Sequence, residues 1–215
     1  MRNIEVLKMI EDNRIEELKS KLRDEVYAEA LTSKTGAKKR YTAMKKYFTY
    51  TNHAREAMEK PCAVKFNGED YISFCNSYSL ALTKESCGEI EMFTDVERYP
   101  DVVRLISMDG KQEKIDFRKV IAEAKSLGYK LNKNEINGYK FKYLMHYKKA
   151  YFKIGLLDAT YSIIDDGEAA IVYSKASDRT PLTIETGLGV AVVMPIRIEE
   201  VTDDLVVIEV KEGSK

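Results

Sequence analysis

Residues 1–31 place apolar side chains at Ile4, Leu7 and Ile10, then at Ile15, Leu18, Leu22, Val26 and Ala30. These steps are mostly three or four residues, the period of a helix. The longer step from Ile10 to Ile15, across Asp12-Asn13, predicts a break between two helices. Ser33–Gly36 reads as a turn and residues 37–48 as another helix. Thr51 or Asn52 can cap a short helix that runs through Met58 and stops before Pro61. Residues 1–60 are therefore expected to form a helical module with a basic end.

After Pro61 the period changes to two. Ala63–Phe66, Asn67-Gly68 and Tyr71–Cys75 predict a β-hairpin, because Asn-Gly tolerates the positive φ angles of a tight turn. Ser79–Leu82 predicts a third strand, and Tyr99-Pro100-Asp101 a loop. Ile115–Leu127 predicts an amphipathic helix with Phe117, Val120, Ile121, Ala124 and Leu127 on one face. Asp116 stands near its start, and Gly128 is a stop signal. Gly138–Tyr147 alternates as a strand, and Phe152–Ile164 predicts a second helix. Asp165-Asp166-Gly167 turns the chain into strands at 169–173, 181–186, 190–198 and 201–210. This order predicts an α+β domain over 61–210, an antiparallel sheet with helices on one face, followed by a tail at 211–215.

Composition narrows the class. The 215 residues are 44% apolar and 33% charged, enough for a real core under a heavily solvated surface. The longest nearly apolar run, 187–196, includes Pro195 and is about half a bilayer span, so no transmembrane helix is expected. The first residues lack the apolar core of a signal peptide, and the expected compartment is the cytoplasm, with no membrane partner. Cys62, Cys75 and Cys87 are too evenly and widely spaced for a zinc knuckle, and His53 and His146 add no ligand spacing. Cys75, in an apolar strand pattern, reads as a buried thiol.

The zero net charge hides segregation. Residues 34–60 carry a net +6 and residues 125–153 a net +7, against −4 over 89–101 and −3 from Arg197 onward. Such blocks make local fields that the total conceals. Both basic segments are interleaved with aromatics, Tyr41, Tyr47, Phe48 and Tyr50 in the first and Tyr129 to Tyr151 in the second. Lysines neutralise phosphates, and aromatic faces can stack on unpaired bases. The expected DNA-contacting residues are Lys38, Lys39, Arg40, Lys45 and Lys46 in the first segment. In the second they are Lys130, Lys133, Lys140, Lys142, Lys148 and Lys149. Lys140 to Tyr143 also fits an amphipathic strand with its lysines in water, and an outward lysine row can still meet DNA.

No P-loop, Gly-x-Gly-x-x-Gly, Gly-x-Ser-x-Gly or His-Glu-x-x-His motif is present. No nucleophile, base and orienting group can be assembled from spacing, so a non-enzymatic protein without cofactor or metal is expected. Asp165-Asp166 could hold Mg²⁺ in a nuclease, but its place before Gly167 favours a turn.

Residues 150–164 (Ala-Tyr-Phe-Lys-Ile-Gly-Leu-Leu-Asp-Ala-Thr-Tyr-Ser-Ile-Ile) lead to Pro181-Leu-Thr-Ile-Glu-Thr and to Val192-Val-Met-Pro-Ile-Arg-Ile198. This order resembles the closing segment of the bacterial sliding clamp, the β subunit of the replicative DNA polymerase, which ends Val-Val-Met-Pro-Met-Arg-Leu. Arg98-Tyr-Pro-Asp-Val-Val-Arg-Leu-Ile106 is similar to the Phe-Pro-Asp-Tyr linker that leads into a clamp's last domain. The resemblance covers roughly 97–198, with 63–83 as part of a neighbouring unit. Three departures stand out. The chain is short for a three-domain clamp subunit, the segment between its two helices is shorter, and it continues about 17 residues past Ile198.

The resemblance implies a DNA-clamp-like fold with helices on the DNA-facing side. It also implies tethering of replication or repair proteins to duplex DNA, a linear-peptide groove and an open question of homo-oligomeric ring closure. The groove maps to Val192, Met194, Pro195 and Ile196, with Leu156 and Leu157 as nearby helix candidates. The shortened architecture suggests a phage or other mobile element. The alternative is a protein-interaction module of clamp-like fold without DNA binding, using the groove or a stripe along Ile4, Leu7, Leu18 and Leu22.

Overall fold

The computed structural model describes residues 14–15, 36–48, 56–137, 141–175, 177–198 and 202–210. The helices expected within 1–31, and most of the short one before Met58, lie outside these residues. Gly36, at φ +80°, opens α1 (Ala37–Tyr47). Asn67 and Gly68 take φ of +52° and +82°, the pair of left-handed residues a two-residue hairpin needs. They join β1 (Cys62–Phe66) to β2 (Glu69–Cys75), with Phe66 opposite Glu69. β3 (Ser79–Thr83) pairs antiparallel with β2.

The chain then crosses through two short 3-10 turns to β4 (Lys111–Ile115). Asp116 caps α2 (Phe117–Ser126) by accepting from the Arg118 backbone N–H at 3.2 Å. A short α3 (Lys133–Asn137) leads to β5 (Tyr143–Tyr147) and β6 (Ala150–Lys153), and α4 (Ile154–Ile164) follows directly. Then come β7 (Ala170–Ser174), β8 (Leu182–Thr186), β9 (Gly189–Val193) and β10 (Val206–Val210).

Among the described residues seven strands form one antiparallel sheet, in the order β1-β2-β3-β9-β8-β7-β4. A second sheet runs β10-β5-β6. The α+β class expected from the sequence is the class observed. β10 does not extend the large sheet; it runs parallel to β5, with Val206 opposite Tyr143. Strand β9 stops at Val193, and Ile196 returns as a single bridge to Tyr151.

The large sheet is covered on both faces. Ala81, Val193, Val172 and Ile184 face the helices and share a core with Met44 and Tyr47 of α1, Phe117 and Ile121 of α2, and most of α4. Met145, Phe152 and Ile208 bring the small sheet into that same core. The helix assigned to the N-terminal module thus shares the core of the α+β domain. On the back face Leu80, Leu82, Val190 and Val192 pack with Tyr99 and Val102 from the 3-10 segment. Burial on both sides explains why β3 and β9 read as continuous apolar runs rather than alternating ones.

Ten of the eleven residues of α4 are buried. It rests on β3 and β9, with α1 beside it and Phe117 of α2 against its Tyr161 at 5.3 Å. Gly155 lets α3 cross it, since a Cβ there would lie 2.5 Å from the Glu135 carbonyl oxygen. Thr160 reaches Ser79 Oγ at 2.9 Å, and the Tyr47 hydroxyl lies 3.1 Å from the Ser79 carbonyl oxygen. These polar contacts tie α1, α4 and β3 at one point.

Burial pushes the Cys75 thiol up to about 12 and raises those of Cys62 and Cys87. A raised thiol carries little thiolate near neutral pH, and the thiolate is the reactive species. The folded protein is therefore expected to consume almost no Ellman reagent at about pH 8, and three equivalents once denatured. Rapid native reaction of one thiol would contradict this burial.

Candidate nucleic-acid interface

Helix α1 turns Arg40, Met44 and Tyr47 inward, at the i, i+4, i+7 spacing of one helical face. The same geometry turns Lys38, Lys39, Lys45 and Lys46 to solvent. Arg40, expected to contact phosphate, is instead a structural clasp. Its Nε donates to Glu85 Oε2 at 2.7 Å, its Nη2 to Glu85 Oε1 at 2.5 Å, and its Nη1 to the Asp165 carbonyl at 3.0 Å. The planar guanidinium fork fits this bidentate pairing, and its place on the inward face leaves it buried.

The outward residues of α1 border a groove. Lys39, Thr42 and Lys46 form one wall, Lys125 in the last turn of α2 and Leu131 the other, and Ala43, Ala159, Ser162 and Asp158 contribute small or short side chains between them. The cavity is about 210 Å³. Lys39 Nζ lies 3.3 Å from Asp165 Oδ2, and Lys125 Nζ lies 3.6 Å from Asp158 Oδ2. Lys45 stands outside the groove with its ammonium 4.6 Å from the Tyr41 ring centroid, and a hydrogen bond to Tyr41 raises its pKa. Lysines from both basic segments, more than 70 residues apart in sequence, thus reach one surface cleft.

The remaining expected lysines divide. Lys130 and Lys133 are exposed on either side of Leu131, which lines the groove. Lys142 and Lys149 are exposed on the small sheet and its turn, and Lys140 lies outside the described residues. Lys148 is a second correction. It takes φ +56° in the β5–β6 turn and buries its ammonium 3.1 Å from Glu113 Oε1 and 5.1 Å from the Tyr147 ring centroid. Burial there pushes the Glu113 carboxyl up, but hydrogen bonds from Lys148 and Lys111 outweigh it and hold it below its ordinary value. A lowered carboxyl stabilises the fold above the unfolded value, and that contribution fades as pH falls through the folded one. The stability gap between wild type and Glu113→Gln should therefore be widest near neutral pH and narrow on acidification past about 4.5. A gap that stays constant in acid unfolding curves would contradict the ion cluster.

The groove expected for linear peptides is only partly accessible. Leu156, Leu157 and Val192 are core residues, exposed by at most 2%. The first two lie on the enclosed helix α4, and Val192 faces the covered back of the sheet. Met194, Pro195 and Ile196 are half-buried. Met194 N–H donates to Tyr78 O at 2.9 Å and Ile196 N–H to Tyr151 O at 2.8 Å, while the Tyr78 side chain projects into solvent.

Asp165 and Asp166 form a turn. Asp165 Oδ1 accepts from Gly167 N at 3.1 Å, and Asp166 accepts from Glu168 N at 2.9 Å and Gly187 N at 2.7 Å. Among the described residues no three His, Cys, Asp or Glu side chains group as metal ligands. His146 pairs with Glu209 at 2.8 Å and stacks on Tyr151. No helix among the described residues is long and apolar enough to cross a membrane.

Lys125 sits inside the second basic segment but its sequence gives no sign that it meets α1. Asp158 and Ser162 carry a weak signal, as polar residues spaced i, i+4 on a mostly apolar helix; the Ser162 hydroxyl donates to Asp158 Oδ1 at 3.2 Å. Comparison with family models, curated proteins and solved structures found no match to this chain.

Proposed function

We propose that the protein is a non-enzymatic, clamp-like DNA-associated protein whose helix layer contacts duplex phosphates. The observation that carries this reading is the convergence of Lys39 and Lys46 from α1 with Lys125 from α2 on one groove, flanked by exposed Lys38, Lys45, Lys130 and Lys133. Cations gathered from distant parts of a chain of zero net charge make a local positive face, and a duplex backbone is the extended anion that fits it. The clamp resemblance agrees in placing sheet on one side and helices on the other. In this reading the protein acts in replication or repair, in a phage or other mobile element, and holds partner proteins near DNA through the segment Met194–Ile196.

Fluorescence anisotropy of a labelled duplex of about 30 base pairs tests this reading. Micromolar or tighter binding at low salt, weakening steeply as salt rises, is the expected result. If no binding occurs even at low salt, the protein-interaction reading takes its place. Exposed Tyr78 beside half-buried Met194 and Pro195 then offers the apolar contact for a partner peptide.

A further inference from the structure

We propose that Asp158 is a built-in counter-ion that weakens phosphate binding in the α1–α4–α2 groove; this rests on the groove being the DNA-contacting site. The groove is not uniformly positive. Asp158 stands between its lysine walls with its side chain only 8% exposed, fixed on α4 and bonded to Ser162. Lys125 is the solvent-exposed member of the pair, with more than half its side chain in solvent. At 3.6 Å the two make ionic contact but not a tight hydrogen bond. A phosphate entering the groove meets Lys125 already partly neutralised, and a carboxylate that cannot withdraw. Two anions brought this close repel even where the surface dielectric is high.

The groove therefore trades affinity for exchange. A lysine that changes partner between a carboxylate of its own chain and a phosphate of the duplex gives a contact that forms and breaks readily. Asp165 occupies Lys39 in the same way but also accepts from Gly167 N in its turn, so Asp158 is the cleaner residue to change.

Asp158→Asn keeps the volume and an acceptor for Ser162 while removing the charge. It should raise duplex affinity about tenfold and steepen the slope of log K against log salt by about 0.9, one added phosphate contact. Lys125→Gln should weaken duplex binding several-fold, because it removes a phosphate contact and leaves Asp158 without its counter-charge. In that background Asp158→Asn should give a smaller gain than in wild type, since part of the gain comes from the freed Lys125. Thermal unfolding of each variant checks that the fold is kept. A gain from Asp158→Asn supports the proposal, including the case where only the variant binds. If wild type binds and Asp158→Asn binds no better, the proposal falls and the DNA reading stands. If neither binds duplex at low salt, both fall.

Discussion

Replacing Arg40 with Ala is expected to lower the unfolding free energy by about 3 kcal/mol. The guanidinium is 7% exposed and its partner Glu85 24%, so removing one member leaves a poorly solvated carboxylate without its main counter-charge. The Asp165 carbonyl loses a donor as well. Arg40→Lys should recover only a minor part, because one ammonium cannot reproduce the fork that serves two carboxylate oxygens and a carbonyl. Urea denaturation followed by far-UV circular dichroism measures the loss. A change below about 1 kcal/mol would mean that the pair behaves like an exposed salt bridge, and that α1 is held by Met44 and Tyr47 alone.

Lys39→Glu with Lys46→Glu should cut duplex affinity roughly a hundredfold at low salt and reduce the salt slope by about 1.8, two phosphate contacts at about 0.9 each. Both side chains stand at the rim of the groove, and the carboxylate bond described for either is the half-buried contact from Lys39 to Asp165, whose side chain is 10% exposed. Lys39→Glu sets a second carboxylate beside Asp165, so thermal unfolding of the double variant, and Lys46→Glu alone, separate the loss of binding from any loss of fold. The matching reversal of Lys142 and Lys149, on the small sheet and its turn, should cost less than about threefold. Equal losses in the two double variants would mean that the field of the whole chain, not this groove, holds DNA.

These two expectations separate residues that a linear reading treats alike. Arg40 lies between Lys39 and Tyr41 in a basic run, and its charge gave no hint that it is a clasp. The signal was positional: Arg40, Met44 and Tyr47 share a helical face, and a face that holds Met and Tyr is the one that packs. The Asn67-Gly68 hairpin and the bodies of α1, α2 and α4 were legible because each depends on local chemistry, a turn dipeptide or a helical period. Strand β4 was not, because Lys-Gln-Glu-Lys-Ile ends the sheet as described, pairs there with β7 and exposes most of its side chains. Strand β6 was too short for its alternation to stand apart from the helix that follows it. The parallel pairing of β10 with β5 joins residues about 60 apart, and strand periodicity does not encode which edge a strand seeks. The same limit applied to the groove: two basic segments were visible, but only the packing of α1 and α2 around α4 brings Lys125 to Lys39 and Lys46. Leu156, Leu157 and Val192 matched a motif whose apolar residues serve here as core.

The central claim is that the helix face built from both basic segments is where duplex phosphates sit. Crosslinking the protein to a duplex of about 30 base pairs at low salt, followed by peptide mass spectrometry, locates the contact directly. The account predicts adducts on the α1 peptides carrying Lys38, Lys39, Lys45 and Lys46 and on the α2 peptide carrying Lys125. Adducts confined to the sheets, at Lys65 in β1 or Lys142 before β5, would contradict it.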